Sequence, residues 1–195
     1  DTIIVNRHHF LDNDTTKPYC NIRISFIYPI SSTKVNLDSL QQFFVRNMFG
    51  QSFENVEPAS AMEAYVKNYI ENYSHDAYTY RETVFDLNEL NELIPGIEVD
   101  DSEHVVSDIF YSYYENLSDS ITYNKHNILS FQITQSNSKG KAASLYTSFS
   151  NYVINLKTGD QITESDIFVA GYDKPLQGFI IASLIEQNGV KSIDE

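Results

Sequence analysis

The strongest periodicity in the chain is helical. Met62, Tyr65, Val66, Tyr69, Ile70 and Tyr73 recur three and four residues apart, which gathers them into one apolar stripe on an α-helix. Pro58 suits the first turn of that helix. Upstream, Leu37, Leu40, Phe44 and Met48 share the spacing, with Asn36 as N-cap and Gly50 to close the end. "CNIRISFIYP" alternates instead. Ile22, Ile24, Phe26 and Tyr28 fall on one face, Asn21, Arg23 and Ser25 on the other, and Pro29 stops the run. This is the pattern of a strand with one buried face. From Ile109 onward, "IFYSYYE", "SITYN", "NILSFQITQ" and "SLYTSFSNYVINL" are rich in aromatic and β-branched residues. Their connections are too short for crossovers, so antiparallel pairing is expected. "KTGD" is a tight turn around Gly159, and "TESD" is a capping pattern with Thr163 as cap and Asp166 at N3. A last helix follows, with Asp173 as cap, Leu176, Phe179, Ile180 and Leu184 on one face, and Gly189 at its end.

The expected architecture is α+β: an antiparallel sheet from 109–156, joined by the 21–28 strand, with helices 37–48, 58–73 and 174–187 packed on it. Two halves are expected, 1–104 with a strand and helices and 105–195 with a sheet plus a helix, packed as one unit. At 42% hydrophobic, with 14 Tyr and 12 Phe, the chain can bury a sizeable core. No apolar run reaches eighteen residues, so no transmembrane segment is predicted. "DTIIVNRHHF" lacks the basic and apolar regions of a signal peptide and suits a mature chain from which one has been removed.

Charge narrows the partners. With 27 acids against 13 bases, the formal net charge is −14. Such a surface repels phosphate backbones, so no nucleic acid partner is expected, and it attracts cationic proteins. Residues 82 to 108 hold Glu82, Asp86, Glu89, Glu92, Glu98, Asp100, Asp101, Glu103 and Asp108 with no Lys or Arg. Val84, Leu87, Leu90 and Ile94 make part of this stretch a weaker helix. Its plain reading is a solvated helix and loop; its functional reading is an acidic docking surface of Glu89, Glu92, Glu98, Asp100, Asp101 and Glu103.

Chemistry is sparse. His8 and His9 are adjacent and point apart in a strand, while His75, His104 and His126 are isolated. No spacing suits zinc, and no metal or cofactor is expected. "DNDTTK" has the first acids of a calcium loop without its Gly or closing Glu. Cys20 stands alone and reads as a small apolar strand residue. No nucleophile elbow, phosphate loop or dinucleotide fingerprint occurs. Carboxylate pairs for glycoside hydrolysis are spatial, and 27 acids are no evidence for one.

Four segments in order, "KPYCNIRISFIYP", "NLDSLQQFFVRNMFG", "YNKHNILSFQIT" and "NYVINLKTGDQITESDIF", resemble a bacterial extracytoplasmic family. That family pairs two domains of unknown function, DUF4163 and DUF3298. It is related to the extracellular module of the lysozyme-sensing anti-sigma factor RsiV and to the accessory domain of the peptidoglycan deacetylase PdaC. The resemblance implies a non-enzymatic envelope binding module, periplasmic or on the outer surface and lipid-anchored in its precursor. Its implied partner is a basic protein such as lysozyme or a cell-wall glycan. The alternatives are a glycan-acting hydrolase using unidentified carboxylates and a purely structural lipoprotein domain. Where the family reads Gly-Gly-Ala-His, this chain has Gly140, Lys141, Ala142 and Ala143, so no role of that His carries over, and no catalytic residue does. Family members also continue with strands past the last helix. Without them the sheet would keep an uncovered edge, which implies an oligomer or a separated segment covering it.

Overall fold

The computed structural model describes residues 1–93, 112–139, 146–190 and 192, and within one long helix only the backbone of 81 and 83–93. Five strands form one sheet in chain order: β1 Thr2–Phe10, β2 Tyr19–Ile27, β3 Tyr113–Lys125, β4 Ile128–Lys139 and β5 Tyr146–Asn155. All neighbours are antiparallel except β2 and β3, which run parallel. The fold is α+β, as the pattern predicts. Two findings refine that expectation. β1 extends the strand in which His8 and His9 are placed back to Thr2, an extent the pattern does not mark because Ile3, Ile4 and Val5 are contiguous and blur alternation. The parallel pair arises because a long helical crossover separates β2 from β3.

That crossover carries α1, Leu37–Phe49, and α2, Pro58–Leu93. The Asn36 side chain accepts the Ser39 N–H at 2.9 Å, and Gly50 ends α1 at φ 102°, donating to the Arg46 carbonyl. At α2, Glu57 accepts the Ser60 N–H at 3.0 Å. The weaker helix expected around Val84 to Leu90 is a continuation of α2, while Ile94 lies outside the described residues. Both helices cover one face of the sheet. Ile22, Ile24 and Phe26 on β2, Leu117 on β3, Leu129, Phe131 and Ile133 on β4 and Ile154 on β5 are buried against Phe44, Val45, Met48, Met62 and Val66. Phe44 stacks on Phe131 with ring centroids 4.2 Å apart. The tyrosine stripe of α2 is a core face: Tyr73 is buried and Tyr65 and Tyr69 are half-buried beside the cluster.

The C-terminal helix overturns an expectation. Two further helices follow β5: a single turn, α3 (Glu164–Ile167), and α4 (Asp173–Asn188). The Asp166 carboxylate accepts the Thr163 N–H at 2.7 Å, so the predicted capping pattern at α3 is present. Asp173 opens α4 rather than capping it; Tyr172 holds the cap position. Met62 is 2% exposed, whereas Phe179 is 75% and Leu184 48% exposed. Thus α4 is not packed on the sheet. α1 and α2 already cover the apolar inner face, and what remains of it on β5 is Ser148, Ser150 and the single exposed Tyr146, too little apolar surface to hold a helix. β5 is the outer strand on that side. The 160–162 backbone closes its far end through Asn155 N–H to Asp160 O and Ile162 N–H to Val153 O, while Tyr146 and Phe149 stay exposed.

Two substitutions separate core from surface. Phe44→Ala is expected to cost about 3–5 kcal/mol in urea denaturation, whereas Phe179→Ala should stay within about 0.5 kcal/mol.

Candidate binding cleft

Two acids face inward on β3. Tyr113, Glu115, Leu117 and Asp119 alternate onto the helix side, and Glu115 and Asp119 are only 5% and 7% exposed. The Glu115 carboxylate accepts from Gln135 Nε2 at 2.7 Å and from the Tyr65 hydroxyl at 3.4 Å. Burial nonetheless raises its pKa, against the opposing pull of those bonds and of Lys139. Burial, and then the Glu115 charge, push the Tyr65 phenol up as well. Asp119 is pushed up to about 7, again by burial. Its Oδ1 accepts the Ile27 N–H at 2.7 Å, while its Oδ2 has no hydrogen-bond partner among the described residues. The two carboxyl groups stand four residues apart on an extended strand, roughly 13 Å, with Leu117 between them. Each is used by the fold.

Asp119 also marks where the sheet opens. The β2–β3 ladder ends at Ser25 and Ser118, and β2 then leaves into the 28–36 loop. On the other side, a bulge between Ile121 and Tyr123 shifts the β3 register against β4, so Asn124 rather than Tyr123 lies opposite the buried Leu129. Between loop and hairpin turn lies a cleft of about 560 Å³. Its floor comes from Ile27, Leu40, Phe44, Leu129 and Leu156, and its rim from Ser31, Ser32, Thr33 and Lys34 on one side and Asn124, Lys125, His126 and Asn127 on the other. No Asp, Glu or Cys lines it among the described residues.

The turn is unusual in its residues. His126 and Asn127 sit at φ 54° and 63°, the positive pair that a two-residue hairpin demands and that Asn-Gly meets most easily. The Asn127 carbonyl accepts the Leu156 N–H at 2.7 Å, its side-chain oxygen accepts from Lys34 Nζ, and His126 Nδ1 pairs with the Tyr123 hydroxyl at 2.9 Å. The Lys34 ammonium thus lies at the rim, beside the turn. No motif along the chain marks this cleft; its one local signal is a hairpin turn written His-Asn.

The acidic docking surface is not brought into view. Glu98, Asp100, Asp101 and Glu103 lie outside the described residues, and Glu89 and Glu92 lie on α2 where only the backbone is described. The loop at 140–143 is likewise outside them. His8 and His9 do point apart: His8 stacks on Tyr19, and His9 meets Tyr73 and Ser74 of α2. The calcium-like loop spends its acids internally. Asp12 pairs with Lys17 at 2.8 Å and accepts the Tyr78 hydroxyl, and Asp14 accepts the Thr16 N–H and hydroxyl. Cys20 is buried in β2, its thiol pushed up to about 12 by burial. Among the described residues, no group of three His, Cys, Asp or Glu side chains could hold a metal, and no helix is long and apolar enough to cross a membrane.

Asp119 gives the fold a pH dependence. Its folded pKa lies above the unfolded value, so its contribution is complete below about pH 4 and is lost as pH rises through about 7. The wild-type chain should lose on the order of a few kcal/mol over that window, and Asp119→Asn should flatten the slope in urea denaturation at stepped pH. His126→Gly should leave stability unchanged or raise it by up to about 1 kcal/mol, because glycine relieves the left-handed conformation.

No protein-family model and no curated protein matches the chain. Solved structures do. A DUF3298 family member from Bacteroides fragilis superposes with a TM-score of 0.78 at 26% identity, covering 100% of this chain and 70% of that one. A DUF3298 family protein from Pseudomonas aeruginosa shares the fold alone, with a TM-score of 0.50 at 9% identity, covering 95% of this chain and 65% of that one. The chain's structural neighbours are therefore DUF3298 family proteins, and its fold is of the DUF3298 type.

Proposed function

We propose that this chain is a non-enzymatic binding module of the cell envelope, held outside the cytoplasm, whose cleft takes cell-wall glycan. The observation that carries this reading is the make-up of the cleft. Hydroxyl and amide groups of Ser31, Ser32, Thr33, Asn124 and Asn127 surround a floor that includes Leu40, Phe44 and Leu129. A saccharide offers hydroxyls around its ring and C–H faces above and below it, so a polar rim over an apolar floor matches both. The volume falls within the range of small-ligand sites. A hydrolase would need two carboxyl groups about 5–9.5 Å apart across one bond. Glu115 and Asp119 are farther apart and bonded into the fold, which favours binding over hydrolysis. The resemblance of four segments to an extracytoplasmic family supports the location.

Mixed with insoluble cell-wall sacculi, the purified protein is expected to sediment with them and to release no soluble reducing sugar. Protein remaining wholly in the supernatant would overturn the binding reading. Release of reducing ends that Glu115→Gln or Asp119→Asn abolishes would overturn the non-enzymatic one.

A further inference from the structure

We infer that the cleft is selective for a saccharide bearing an oxyanion, a carboxylate or a phosphate, which pairs with the cationic rim of Lys34 and Lys125. The inference rests on reading the cleft as a glycan site and adds the charge of its ligand. A chain with twice as many acids as bases places Lys34, Lys125 and His126 around this one cavity and no acid on its lining among the described residues. Asp119 is bonded to the Ile27 backbone and is not part of the lining. An adjoining cleft of about 310 Å³ shares Lys34 and Leu40, adds Lys157, and carries Asp160 as its acid. Lys34 thus stands where the two meet.

One of these cations, Lys34, is bonded to the fold. Lys34 is tied through its ammonium to Asn127, a residue kept at positive φ by the turn. An ammonium has three donors, and one bond to an amide oxygen neutralises none of its charge. Asn127 itself is anchored through its backbone carbonyl by the Leu156 N–H. His126 is kept in the same conformation although glycine would meet that demand more easily. The floor is apolar and buried, so a charge-assisted bond at the rim meets little competition from water on that side. Long-range steering cannot help, because the net charge of −14 repels anions at a distance. Selectivity must come from short-range pairing.

The test uses three sugars on one N-acetylglucosamine scaffold, followed by calorimetry and by amide chemical shifts of residues 31–34 and 124–127. N-acetylmuramic acid carries a carboxylate, N-acetylglucosamine 6-phosphate a phosphate, and N-acetylglucosamine neither; inorganic phosphate serves as the bare anion. At least one acidic sugar is expected to bind about tenfold more tightly than the neutral one, and which of them leads identifies the oxyanion. Lys34→Gln combined with Lys125→Gln should erase that preference, while Lys67→Gln, an exposed lysine on α2, should keep it. Equal binding of acidic and neutral sugars, or a preference that survives the double substitution, would overturn the anion assignment and leave the glycan reading standing. Phosphate shifting these amides while no sugar binds would retain the anion site and overturn the glycan reading. No binding by any probe would overturn both.

Discussion

The parallel pairing of β2 with β3 is the constraint on which the rest of the molecule depends. It joins Cys20–Ser25 to Tyr113–Ser118 across the whole helical crossover. A parallel pair cannot be closed by a hairpin, so the intervening chain must travel back over a face of the sheet. α1 and α2 are that return path, and their apolar stripes supply one side of the core. Among the described residues, the helices packed on the sheet cover that one face. The opposite face carries Arg23, Ser25, Ser118, Thr134 and Asn151, which tolerate water, beside the exposed Ile4 and Phe149.

The end of that pairing is also where the fold leaves room. Past Ser25 and Ser118 the two strands no longer bond, and the Ile27 N–H would be left without a partner inside the protein. Asp119 accepts it at 2.7 Å. An unsatisfied buried amide costs about 1–3 kcal/mol, so the bond offsets part of the penalty of burying a carboxyl group there, and protonation relieves more. Glu115 solves the same problem differently, by collecting donors from Gln135 and Tyr65. Both acids have the raised pKa that draws attention in a search for active sites. In both the cause is burial, and the hydrogen-bond partners pull the other way.

Charge organises the molecule at two scales. The overall balance is strongly negative, yet the sheet end between the 28–36 loop and the β3–β4 turn is lined by Lys34 and Lys125 with no acid among the described residues. A whole-molecule field and a local site can differ in sign because solvent screening confines each charge to about 10 Å. Three pieces far apart in the chain meet here: the loop after β2, the hairpin turn and the segment leaving β5. The bulge in β3 helps by handing the inner face to Asn124.

Much of this was readable one element at a time. The stripe from Met62 to Tyr73, the cap at Asn36, the alternation from Ile22 to Phe26 and the turn at Gly159 all express local periodicity and local backbone preference, which neighbouring residues decide. The cleft was not readable in this way, since its rim joins residues 31–34 to 124–127 through a strand order that no local pattern encodes. The same limit explains α4. Leu176, Phe179, Ile180 and Leu184 are spaced as a core face, but whether such a face is buried depends on what surface remains to receive it. The chain alone thus determined which segments become helices and strands and which residues each turns to one side. Tertiary structure decided which of those sides meet, because burial is a property of pairs of surfaces and one helix's pattern specifies only its own.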